Sequence, residues 1–168
     1  MAQLIKHGVA TTDSWQILDL AAGESPETVA LPEGDVIFPL AVWQARKDEI
    51  VSRPTIGLLL QPADRVEDVA GELASFNLIA VNFPKFVDGR GYSTAALLRQ
   101  RYGYTGELRA VGDVLHDQLF FMRRVGFDSY ALKDGKSLDY AIAAGFKPFT
   151  EAYQGATDQA QPHFRRRA

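Results

Sequence analysis

The residues best equipped for chemistry crowd into one stretch, Phe83-Pro84-Lys85-Phe86-Val87-Asp88-Gly89-Arg90-Gly91-Tyr92-Ser93. Lys85 and Arg90 are charge-assisted donors, and the planar fork of Arg90 can grip an oxyanion through two nitrogens. Gly89 and Gly91 permit positive φ and a close backbone approach. Ser93 or Thr94 is expected to open a helix, whose free N–H groups favour an anion. The functional reading is a site for phosphate, sulfite, sulfate or a carboxylate. The competing reading is a tight loop in which Ser93 caps a helix and Asp88 pairs with Arg90. The glycine pattern matches neither a dinucleotide fingerprint nor a P-loop.

A second set follows the loop. Asp113 and Asp117, with Asp88, offer hard oxygen ligands to a magnesium-type cation. The favoured alternative has Asp113 capping a helix that begins at Val114, with Asp117 in its first turn. Arg109 lies in an otherwise apolar strand and needs a carboxylate if it points inward. Glu107, two residues back, shares its face, and a structural pair is the preferred reading. His116, Asp117 and Gln118 are consecutive and fan out around a helix start, so they make no dyad. The chain has no cysteine and three scattered histidines, His7, His116 and His163. Thiolate chemistry and Cys-type metal centres are therefore excluded, no metal site is assigned, and any redox step must borrow an unspecified cofactor.

These groups need a frame to bring them together. Thr55–Gln61 is a short apolar run typical of a strand buried on both faces. Asp64 with Glu67 reads as a capping box, and Val66, Val69, Leu73 and Phe76 follow at helical spacing. The pattern repeats: strand Leu78–Phe83 with helix Ser93–Tyr102; strand Glu107–Val114 with a helix through Leu115, Leu119 and Met122; strand Phe127–Leu132 with a helix from Ser137. Upstream, Asp35–Phe38 and Leu40–Val51 form a further unit. Phe120-Phe121-Met122 reads as core packing. The expected class is α/β, repeated βα units in a mostly parallel sheet, as an open helix-flanked sheet or a partial (β/α) barrel. Residues 1–34 are expected to add a small β hairpin or edge strands within a single domain over 1–152, with 153–168 a mobile tail ending in the solvated run Arg165-Arg166-Arg167. On this frame Asn82, Lys85, Asp88, Arg90, Asp113 and Lys133 share the rim at the strands' carboxyl ends.

With 18 Lys+Arg against 21 Asp+Glu, the net charge of −3 supplies no broad basic face, so nucleic acid is not an expected partner. No signal pattern opens the chain and no apolar run spans a membrane, so a cytoplasmic location is expected.

The segment from Phe83 to Leu132, with its string DGRGYS…LR…GELRAVGDV…DQ, resembles the hallmark block of the bacterial domain-of-unknown-function family 934. The likeness extends loosely to Pro39-Leu40 and to Ala152-Tyr153-Gln154. Members are described as oxidoreductases involved in sulfite reduction, a label that rests on the company their genes keep. The resemblance implies an oxidoreductase or accessory protein of assimilatory sulfite reduction, with sulfite reductase as a partner and a small oxyanion as ligand. The family pattern falls on Asp88, Gly89, Arg90, Gly91, Tyr92, Ser93, Arg99, Glu107, Arg109, Gly112, Asp113, Asp117 and Gln118. Val125 stands where the family often has a cysteine. The expected anion- or substrate-binding set is Lys85, Asp88, Arg90, Tyr92, Ser93, Arg109, Asp113 and Gln118.

Overall fold

Apolar runs become strands in the computed structural model, which describes residues 3–21, 23–147, 149 and 151–166. Eight strands form one mixed sheet: β1 (Gln3–Lys6), β2 (Val9–Thr12), β3 (Gln16–Ile17), β4 (Val36–Pro39), β5 (Gly57–Leu60), β6 (Leu78–Phe83), β7 (Glu107–Gly112) and β8 (Ser129–Tyr130). Their spatial order is β2-β1-β8-β7-β6-β5-β4-β3. Neighbours from β3 to β8 pair in parallel, while β1 is antiparallel to both β8 and β2. The helices are α1 (Leu40–Ile50), α2 (Arg90–Ala96), α3 (Leu119–Val125), α4 (Leu138–Ala144) and α5 (His163–Arg166). None of the described helices is long and apolar enough to cross a membrane.

Alternation along each strand splits the apolar residues between two faces. Phe38, Leu58, Leu60, Ile79, Val81, Phe83, Leu108 and Ala110 join the main core with α1 and α3 residues such as Trp43 and Met122. Ile37, Leu59, Leu78, Ala80 and Val111 make a smaller cluster on the opposite face, covered by Trp15.

The connection from β2 to β3 dictates the curvature. These are the two edge strands, yet only Asp13, Ser14 and Trp15 separate Thr12 from Gln16. That link spans roughly 14 Å at most. Across a flat sheet of this size the edges would stand about 34 Å apart. The sheet must therefore curl, and it does so into a half-barrel flanked by helices. The strap crosses the concave face: Asp13 binds Arg109 of β7, and Ser14 Oγ donates to Asp35 Oδ2 at 3.0 Å, next to β4.

Several elements differ from their expected form. The Val66–Phe76 segment is two 3-10 turns, Val66–Val69 and Leu73–Ser75, although all four expected stripe residues are buried. Gly71 interrupts the stretch, and Asp64 serves the strand end, accepting from Gln61 N at 2.7 Å, in place of a capping box. α2 continues into a wider π turn over Leu97–Arg101. The chain before α3 makes a 3-10 turn, His116–Gln118. Phe121 is exposed while Met122 is buried. Within residues 153–166, Arg124 Nη2 donates to Gln154 O at 2.5 Å, and Thr157 N donates to Arg124 O at 2.9 Å. Arg167 lies outside the described residues.

Candidate functional site

The turn at the end of β7 builds the rim. Gly112 has φ 94°, and a Cβ there would sit 2.5 Å from both Asn82 Oδ1 and Phe83 O, so only glycine fits. The turn lets Asp113 N donate to Phe83 O at 2.7 Å and lays the Asp113 carboxylate against the loop after β6. There Phe86 N donates to Oδ2 at 3.1 Å. From the loop after β8, Lys133 Nζ stands 2.9 Å from Oδ1, as an ion pair lacking the alignment of a hydrogen bond. Lys133 above all, then the Phe86 N–H and the charges of Lys133 and Lys136, hold the Asp113 carboxyl below the usual range against a smaller opposing effect of desolvation. Three loops thus meet at Asp113. This replaces the expected helix cap at Val114, since the following turn starts only at His116.

Arg90 lies at the same rim but is occupied. Its Nε and Nη2 donate to Asp88 Oδ1 and Oδ2 at 3.0 and 2.7 Å, and this pairing lowers the Asp88 pKa. Gly89 and Gly91 do not take positive φ. Gly91 is small for another reason: a Cβ would meet the Phe83 ring at 2.6 Å. The helix opens at Arg90, so Ser93 lies inside α2 and neither starts nor caps it.

Tyr92 is half-buried, its ring edge-on to both Phe83 and Phe121. Burial pushes its hydroxyl pKa up, opposed by the neighbouring Gln118 side chain. Gln118 is itself a structural clasp, its Oε1 accepting from Leu115 N at 2.8 Å.

Arg109 is absent from the rim. Three residues before the end of β7 and 3% exposed, it bonds Glu107 Oε1 through Nε and Nη2, and both Asp13 oxygens through Nη1. Lys6 Nζ reaches the other Glu107 oxygen at 2.5 Å. The expected Glu107 partner is present; Asp13 has no signal in local spacing because it lies 96 residues away. Lys136, also unforeseen, follows the Asp134-Gly135 turn beyond β8. Asn82 Nδ2 donates to Gln61 Oε1 at 2.8 Å, tying the ends of β5 and β6. A cavity of about 520 Å³ opens at this same end of the sheet over β3–β5, lined by Leu18, Asp19, Pro39, Gln61 and Asp64 among others. Among the described residues, no group of three or more His, Asp or Glu side chains is placed to hold a metal ion.

Fold and rim define the class: an α/β half-barrel that gathers lysines around a buttressed aspartate at the carboxyl ends of its parallel strands. Residues 57–164 match the family model described as bacterial protein of unknown function (DUF934), and the chain belongs to that family. Comparison with curated proteins finds no match.

Proposed function

We propose that the chain serves assimilatory sulfite reduction by holding a small oxyanion at the rim after β6, β7 and β8. One observation carries the site: Lys85 and Lys136 form no ion pair among the described residues, while Asp113 is already matched by Lys133. Their unpaired ammonium groups are the donors that sulfite or sulfate would engage. The pathway rests on the family resemblance. The magnesium-assisted alternative loses support because Asp88 is engaged by Arg90 and Asp113 by Lys133. The chain's side chains supply binding and orientation, and an oxidoreductase role would draw its electrons from a bound cofactor.

Calorimetric titration at low salt tests the site. Sulfite should bind the parent, and the Lys85→Ala/Lys136→Ala double variant should bind at least about tenfold more weakly with an unchanged melting temperature. Absent binding, or binding indifferent to both lysines, overturns the rim. For the pathway, a strain lacking the chain should require cysteine and fail on sulfate or sulfite. Growth on all three overturns that assignment.

A docking role on sulfite reductase, implied by the resemblance, gains support from Phe86 and Val87. They are 48% and 84% exposed on the same loop, beside the lysines. Exposed apolar side chains ringed by charge suit a protein contact. Val87→Asp should then abolish co-purification with the reductase, and undiminished co-purification removes this reading.

A further inference from the structure

At the other end of the parallel strands, before β8, lies a cavity of about 360 Å³ between the β1–β2 turn, α3 and the segment after α4. Its apolar wall is Phe127, Tyr130 and Phe146, all buried, with Ile142 beside them. The Tyr130 hydroxyl is already used, donating to Phe127 O at 2.7 Å, so the residue offers its ring. The polar lining is His7, Arg123, Lys147 and Asp128. Asp128 is spoken for: Oδ2 accepts from Arg99 Nη2 at 2.9 Å and Oδ1 from Leu108 N at 3.0 Å. Arg123 gives one bond, from Nη2 to Phe146 O at 3.2 Å, and neither it nor Lys147 forms an ion pair among the described residues. His7 is held at the cavity by the hairpin turn. It takes φ 49° and Gly8 φ 81°, the positive pair of a type I′ turn, and His7 N donates to Asp128 O at 2.9 Å.

Aromatic walls with unpaired cations at their edge are the make-up of a site for an amphiphilic anion. We propose that this cavity binds a small arylalkyl carboxylate, with the ring against Phe127, Tyr130 and Phe146 and the carboxylate toward Arg123 and Lys147. The volume sits at the small end of the range for ligand pockets, about 300–1,000 Å³, which suits one ring on a short chain. The site is separate from the oxyanion rim and does not depend on it.

The test is an amide NMR titration of the full chain with phenylacetate, with neutral phenylacetamide and inorganic sulfate as controls. Saturable shifts are expected at His7, Gly8, Phe127 and Phe146, with phenylacetamide at least about tenfold weaker. Sulfate should leave these four amides unmoved. Lys147→Ala, at an exposed residue, should weaken phenylacetate about threefold to tenfold. Ile142→Trp should block the cavity, its fold checked by spectral dispersion. No saturation, equal binding of acid and amide, or shifts confined to the Asp113 rim would overturn the proposal. Failure of sulfite at the rim, by contrast, bears on the proposed function alone.

Discussion

Alanine at position 112 would put a methyl group 2.5 Å from Phe83 O and Asn82 Oδ1, in a backbone conformation at φ 94° that L side chains rarely adopt. The Asn82 amide could swing aside, but Phe83 O is backbone and cannot. Gly112→Ala should therefore cost about 2–4 kcal/mol and displace Asp113 from the loops it joins. Gly91→Ala meets only the Phe83 ring, in ordinary helical backbone, and should cost about 1–3 kcal/mol through overpacking. Gly89→Ala faces nothing closer than Tyr92 Cδ2 at 3.8 Å and should change stability by no more than about 1 kcal/mol. Urea denaturation of the three variants checks the order, and a Gly89 variant as damaged as the Gly112 variant contradicts it. The three glycines look alike in the sequence. Their different constraints come from Phe83 and Asn82, whose positions only the paired strands β6 and β7 determine. The Asp88–Arg90 pair was legible because both partners lie within one loop.

Arg99 shows how an element is held. It sits in the π turn that ends α2 and sends its guanidinium toward the starts of β7 and β8. Nε donates to Gly126 O at 2.9 Å, Nη1 to Tyr104 O at 2.6 Å and Gly106 O at 2.9 Å, and Nη2 to Asp128 Oδ2 at 2.9 Å. A lysine keeps the charge but not the fork, so it leaves several of these oxygens without a donor. Arg99→Lys should lose about 2–4 kcal/mol in chemical denaturation while the oxyanion rim keeps its ligand affinity. Loss of rim binding in a folded Arg99→Lys protein would instead make Arg99 part of the site. Local patterns foretold the elements whose burial is decided by their own residues: β4, β5, β6, α1 and a helix from Ser137, where Ser137 proves to be the cap of α4, accepting from Tyr140 N. They missed the 3-10 form of Val66–Ser75, where burial of the right side chains does not require an α-helix. β8 is shorter than expected because its ladder with β7 pairs only Arg109–Ser129 and Ala110–Tyr130.

The repeated units allowed a partial barrel, and what they hid is how the chain draws the sheet into its half-barrel. Nothing local says that β1 pairs with β8 or that three residues after β2 the chain reaches the opposite edge. The fastening is ionic: Asp13 in the strap, Arg109 on β7, and Glu107 shared with Lys6 of β1. It therefore ties the strap and β1 to β7. Burial by itself would raise the Glu107 pKa, but the Lys6 bond, the charge and bonds of Arg109, and Ser129 together outweigh it and leave the carboxyl below its usual value. A carboxylate depressed on folding stabilises the native state fully above its unfolded pKa, about 4.3, and ceases to do so as pH falls through the folded value. Asp128 acts in the opposite sense, since burial raises its pKa, so part of the acid response of the whole protein cancels. The Glu107→Gln variant isolates the fastening. At pH 7 it should be less stable than the parent by about 1–3 kcal/mol, because Arg109 and Lys6 lose their shared anion. As pH drops below about 4 the difference should shrink, because the parent's own Glu107 becomes protonated. Urea midpoints measured from pH 7 to pH 3 decide it. A pH-independent gap would mean that the Glu107 charge contributes nothing and that the strap is held by Asp13–Arg109, Ser14–Asp35 and Trp15 packing without it.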